Sequence, residues 1–149
     1  MIKPLNLPKA NLKLTRREDE VYVWCIIRKK DLICTPEEWV RQHVIHYLIN
    51  NKKIAQGLIA SEYSISYNGI SKRADIVVFN KEMKPSLLVE CKAPSVTISK
   101  KTLFQIAQYN HALDVDYLML TNGLTHINCM VNKDTKSVDF IDELPQGLI

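Results

Sequence analysis

The chain has 149 residues, with 20 Lys and Arg against 16 Asp and Glu, a formal net charge of +4, and 46% hydrophobic residues. Those proportions, with only 4 Gly and 6 Pro, exclude a disordered linker or a collagen-like fibre and suit one domain able to bury a core. The longest apolar run, Val21–Ile27, has seven residues, far short of the roughly 20 that span a bilayer.

Residues 1–17 are polar and Pro-punctuated and read as a loosely attached N-terminal arm. A single domain over 18–149, with its core at about 35–122, is expected to follow. Val21–Ile27, the turn Arg28-Lys29-Lys30-Asp31 and Leu32–Cys34 form an N-terminal hairpin in this reading. Thr35-Pro36-Glu37-Glu38 starts a helix: Thr35 caps, Pro36 takes the first position, and Glu38 closes a capping box. Val40, Val44, Tyr47 and Leu48 carry that helix to about Asn50. Strands are expected at Glu62–Tyr67, Ala74–Phe79 and Ser86–Cys91, then a helix from Ser99 to about Leu113, then a strand at Tyr117–Thr121. Thr125–Val131 and Val138–Ile141 read as a C-terminal hairpin. The order helix, three strands, helix, strand predicts an α/β domain with a central mixed sheet.

Composition narrows function little. Residues 1–75 carry 13 basic and 8 acidic side chains, and residues 76–149 carry 7 and 8. A mildly basic first half is compatible with a polyanion. No phosphate-binding G-x-x-x-x-G-K-[ST] loop occurs, so no ATP-driven motor is expected in this stretch. The N-terminus lacks the apolar core of a secretion signal. Cys25, Cys34, Cys91 and Cys129 show no C-x-x-C spacing, as in a reduced, cytoplasmic chain with no membrane partner. The four histidines and the serines form no recognisable zinc or nucleophile motif. Phe104, Tyr109 and Trp39 do not interleave with basic residues as a base-stacking platform would.

The informative feature is the placement of carboxylates in apolar strands. With a turn over residues 80–85, Phe79 opposes Ser86 and Asp75 opposes Glu90. Opposed Cβ atoms lie roughly 4.5–5.5 Å apart, where two carboxylates repel unless a proton or a cation intervenes. Glu90 and Lys92 share a strand face, so Asp75, Glu90 and Lys92 converge. Mg²⁺ suits such oxygens; a cross-strand salt bridge of Lys92 with Glu90 or Asp75 accounts for the pattern equally well. On the first helix, Val44 and Leu48 fall within about 20° of Glu37. Glu37 is therefore placed mid-stripe and needs a partner: a metal, a metal-bound water, or Arg41 one turn on. Gln105 and Tyr109, at i and i+4, project from one side of the second helix.

Taken together, Arg73-Ala74-Asp75-Ile76-Val77-Val78 and Val89-Glu90-Cys91-Lys92-Ala93-Pro94 resemble the PD-(D/E)xK nuclease superfamily. The helix start Glu37-Glu38-Trp39-Val40-Arg41 narrows the likeness to the N-terminal nuclease domain of type I restriction enzyme R subunits. Gln105-Ile106-Ala107-Gln108-Tyr109 is similar to a Q-h-x-x-Y element of the superfamily, and Ala74 stands where the usual Pro precedes the Asp. The resemblance implies a restriction-endonuclease-like core and a Mg²⁺-dependent endodeoxyribonuclease, with Mn²⁺ able to substitute. It implies Asp75, Glu90 and the Cys91 carbonyl as metal ligands and Lys92 as the catalytic lysine. Glu37 would hold the metal site, with Gln105 and Tyr109 in support. The partners it implies are DNA and, on separate chains, a helicase motor and specificity and methyltransferase subunits. The rival expectation is a nuclease-fold module that binds DNA or protein without catalysis of its own.

Overall fold

A computed structural model describes residues 3–108 and 113–148, save the side chain at position 67. Among them are nine strands and two helices. These are β1 (Leu14–Arg17), β2 (Glu20–Cys25), β3 (Lys30–Ile33), α1 (Pro36–Asn50), β4 (Ile59–Tyr67), β5 (Ile70–Phe79), β6 (Pro85–Cys91), α2 (Lys100–Ala107), β7 (Tyr117–Thr121), β8 (His126–Asn132) and β9 (Ser137–Ile141). The domain is α/β, with a three-stranded antiparallel sheet β1-β2-β3 and a mixed six-stranded sheet β4-β5-β6-β7-β8-β9.

Both helices start as their caps dictate. Thr35 Oγ1 accepts the Glu38 amide at 3.0 Å, and Ser99 Oγ accepts the Thr102 amide at 3.3 Å, each satisfying a donor that the helix leaves open. The six-stranded sheet is antiparallel except where β6 meets β7. That parallel join needs a crossover, which contains α2. Its two faces carry separate cores. Val40, Val44, Ile45 and Leu48 of α1 pack with Ile76, Val78, Leu87 and Val89. Leu103 and Ile106 of α2 pack with Val77, Leu88, Leu118 and Leu120. Central strands covered on both faces explain the continuous apolar runs in β5, β6 and β7.

Two expectations change at the ends of the chain. The N-terminal hairpin is a three-stranded sheet, because Leu14–Arg17 adds alongside β2. The C-terminal hairpin is continuous with the main sheet: β8 pairs with β7, Leu118 opposite Cys129 and Leu120 opposite Ile127. Pairing there closes an edge of β7 that would otherwise expose backbone groups.

Residues 5–7 are not loose. The Asn6 amide donates to Gly123 O at 2.7 Å, and Asn6 Nδ2 donates to Leu124 O at 2.8 Å. His126 Nε2 lies 2.7 Å from Asn6 O. Leu5 and Leu7 pack on the α1-side core. Gly123 has φ +85°, and a Cβ there would lie 2.8 Å from Leu5 Cδ2. No helix among the described residues is long and apolar enough to cross a membrane.

Candidate active site

The two strands that carry the predicted acids pair in the expected register, with Ile76 opposite Val89 and Val77 opposite Leu88. A shift between Val78 and Phe79 places Phe79 opposite Pro85 rather than Ser86. Ile76–Val89 is the last pair of the ladder. Beyond it β5 continues with β4 alone, Tyr63 opposite Ala74, while β6 continues with β7, Cys91 opposite Thr121. Asp75 and Glu90 are the next residues on the two arms of this fork. The Cys91 amide donates to Asp75 Oδ2 at 2.7 Å, so a side chain takes over where backbone pairing stops.

Glu62 is the residue of β4 between those opposite Ile76 and Ala74. Its φ is +58°, an uncommon conformation for a residue with a side chain. Strand alternation breaks at the same level. Ile76 joins the α1-side core, yet Ala74, two residues away, joins the α2-side core. The backbone is bent where Glu62 and Asp75 turn toward α1.

What they meet there is Arg41, which is 6% exposed. Its Nη2 lies 2.9 Å from Asp75 Oδ1, 3.1 Å from Glu62 Oε1 and 3.1 Å from Glu37 Oε2. Its Nη1 lies 2.5 Å from Glu38 Oε1. Burial opposes the guanidinium charge, but Asp75, Glu38 and Glu62 outweigh it and its pKa is raised. Arg41 Nε is buried without a hydrogen-bond partner.

This hub corrects two expectations. Glu38 does not reach back to complete a capping box; it is 7% exposed and also accepts Gln42 Nε2 at 2.9 Å. Burying Arg41 requires partners, and Glu38, one turn earlier, is drawn inward to supply one. Glu37 is not at the centre of the buried stripe. The stripe runs through Arg41, Val44, Ile45 and Leu48, and the Glu37 side chain keeps 45% of its surface in solvent. Its carboxyl pKa is nevertheless raised, by partial burial and then by Asp75, so it does face the fork.

Glu90 is the most perturbed acid. Burial, followed by hydrogen bonding to Asp75 and the charge of Asp75, pushes its carboxyl up to about 9. Lys92 is near enough to oppose the rise at both Glu90 and Glu37. It forms no ion pair within 4.0 Å with either Asp75 or Glu90, so the cross-strand salt bridge is not made. The Lys92 amide donates to Thr121 O at 2.8 Å, anchoring the residue as β6 ends. Gln105 is exposed on α2 and makes no side-chain hydrogen bond; Tyr109 lies outside the described residues. Asp75, Glu90, Lys92 and Glu37 are thus brought together, and among the described residues Gln105 shares no hydrogen bond with them. Sequence reasoning treated Arg41 only as a partner for Glu37 and passed over Glu62. The signals were present: Arg41 follows Glu38 and Glu37 at i+3 and i+4, and Glu62 matches Asp75 in the β4–β5 register.

The family described as type I restriction enzyme R protein N terminus matches residues 36–145. The chain belongs to this family. Among the curated proteins compared with it, none matches. The match takes in both arms of the fork, α1 and α2, so the R-protein N-terminal domain is the frame for every acid around Arg41. Such a domain invites the question of a divalent cation. Among the described residues no three His, Cys, Asp or Glu side chains form a ready ligand group. Asp75, Glu90 and the Cys91 carbonyl form an all-oxygen set, and Mg²⁺ takes only one or two carboxylates with waters. The donor chemistry fits, and the proton that burial forces onto Glu90 is what a cation would displace.

Proposed function

We propose that this chain is a metal-dependent endonuclease domain that hydrolyses phosphodiester bonds of DNA. The supporting observation is the pairing of Asp75 with Glu90 at the β5–β6 fork, with Glu90 driven far from ordinary carboxylate behaviour and Lys92 unpaired beside it. The order α1, β4, β5, β6, α2, β7 then reads as a restriction-endonuclease-like core. Asp75, Glu90 and the Cys91 carbonyl would hold Mg²⁺ or Mn²⁺, which when bound polarises the phosphodiester and lowers the pKa of a water. Lys92 would orient the attacking water and offset the charge that develops on the phosphate. Glu37 supports the site from α1, and Gln105 and Tyr109 would meet the substrate. A helicase motor and specificity and methyltransferase subunits would act together with it.

A second reading has one observation in its favour. Arg41 already supplies a cation to Asp75 at 2.9 Å, as in a nuclease-fold module that binds DNA or protein without cutting. The decisive experiment is plasmid cleavage in Mg²⁺ and Mn²⁺, with calorimetric titration of Mn²⁺. Nicking that disappears in Asp75→Ala and Lys92→Ala, with Mn²⁺ binding lost in Glu90→Ala, supports the enzyme. Folded wild-type protein that neither binds Mn²⁺ nor cuts DNA leaves the binding module.

A further inference from the structure

A second candidate site lies on the other flank of α1. At 100° per residue, Trp39 and His43 project about 160° from Arg41 or its next turn. They meet the N-terminal arm there. A cleft of about 390 Å³ is lined by Lys3, Pro4, Leu5, Leu7, Lys9, Trp39 and His43. A smaller space of about 100 Å³ lies between Lys3, Trp39, Pro36, Pro94 and Ser95, and Pro94 and Ser95 directly follow the segment of Lys92.

The walls are fixed before any ligand arrives. Trp39 Nε1 donates to Lys3 O at 2.8 Å, holding the indole against the arm. His43 Nδ1 lies 2.8 Å from Trp39 O. A carbonyl only accepts, so Nδ1 carries the proton and Nε2 of the neutral ring is the acceptor. The two rings meet edge to face, with centroids 4.4 Å apart. His43 is 8% exposed and lines the cleft, and its Nε2 has no hydrogen-bond partner. Among the described residues Lys3 and Lys9 form no ion pair, and none of those lining the cleft is acidic.

One aromatic ring, one imidazole nitrogen without a hydrogen bond and two ammonium groups without an ion pair, among the described residues, form a set suited to one ligand class. A nucleotide offers a flat base to stack, polar edges for the imidazole and phosphates for the lysines. The geometry points to the arm–α1 cleft as a site for an unpaired nucleotide of the DNA strand, next to the segment bearing Lys92. Naming DNA rests on the function proposed above; the cleft itself does not depend on the carboxylates. The interleaving that Trp39 lacks in its own helix is supplied by the arm, whose lysines come from residues 3 and 9.

The chain has two tryptophans, so Trp24→Phe leaves Trp39 as the sole reporter. A thymidine oligonucleotide of about 12 nucleotides is titrated in EDTA, with binding followed by its own labelled anisotropy and by Trp39 fluorescence. The expected result is Trp39 quenching that saturates with the anisotropy. Lys3→Ala/Lys9→Ala should weaken binding about tenfold and reduce the salt slope by about 1.4, at roughly 0.7 for each phosphate contact on a single strand. Trp39→Leu should weaken binding about tenfold or more. Thymidine monophosphate should not quench at nucleotide concentrations that saturate the strand.

Binding with unchanged Trp39 fluorescence overturns the inference, as does full affinity in the double-lysine variant. Equal binding of the monophosphate overturns the assignment to a strand, and absence of binding overturns it altogether. Plasmid cleavage on the same proteins separates the two proposals. Cleavage with silent Trp39 removes the cleft and keeps the nuclease, and quenching without cleavage does the reverse.

Discussion

Arg41→Met removes a buried charge while keeping most of the side-chain stem. Glu38 and Asp75, each 7% exposed, then lose the cation beside them. Removing one partner of a buried ion pair costs about 3–5 kcal/mol. Three features favour the lower end. Gln42 still donates to Glu38, the Cys91 amide still donates to Asp75, and Arg73 still pairs with Glu62. Glu37 returns to water. The expected loss is therefore about 3 kcal/mol at about pH 7.5, or roughly 6–12 °C in Tm for a domain of this size. Protonation relieves a stranded carboxylate, so the deficit narrows as the buffer is taken toward about pH 5. Urea unfolding at both pH values measures it, with an unchanged slope showing that the same surface is exposed. A deficit under about 1 kcal/mol near neutrality, or one that grows on acidification, refutes the view of Arg41 as the cation of a buried cluster.

Three further outcomes are expected. The Glu90 carboxyl sits at about 9 in the folded protein, so the folded state holds a proton that the unfolded chain releases near the ordinary carboxylate value. Metal-free stability should fall as pH rises between those limits, and Glu90→Gln should flatten that fall; parallel pH curves in EDTA would sink the assignment. Glu62→Ala and Glu62→Gly lose the same carboxylate but differ at a φ of +58°. The glycine variant should be more stable by about 1 kcal/mol in urea, and an equal or more stable alanine variant would show the backbone to be unstrained. Thr35→Ala removes the cap on the Glu38 amide and should cost about 1 kcal/mol, checked by thermal unfolding; an unchanged Tm would mean that water replaces the cap.

Local signals carried far in this chain. Thr35-Pro36 marks the start of α1 to the residue, because a cap and a proline act within one turn. The β5–β6 register followed from counting outward from a short connection at residues 80–85, and it put Asp75 beside Glu90. The burial of Glu38 was not legible. Its spacing from Thr35 satisfies the capping-box pattern as well as it satisfies Arg41, and only the sheet beneath the helix decides between them. The register pointed to Glu62, but its conformation was hidden for a related reason. A glutamate near the start of a strand is ordinary in sequence, and nothing local to it signals the positive φ it adopts beside Arg41. The docking of residues 5–7 against Gly123, Leu124 and His126 joins segments distant along the chain, where periodicity is silent.

Gly123 places two unrelated demands on one position. Its φ of +85° disfavours a side chain whatever surrounds it, and Leu5 occupies the space that a Cβ would take. Gly123→Ala would therefore press on the Leu5 side chain, itself part of the cleft wall, where the arm meets the β7–β8 turn. The arm brings Lys3 and Lys9 to Trp39, so the turn at Gly123 and the indole of Trp39 hold the same arm from two sides. A smaller residue at position 5 would open the space beside Gly123 but would leave the demand of its φ in place.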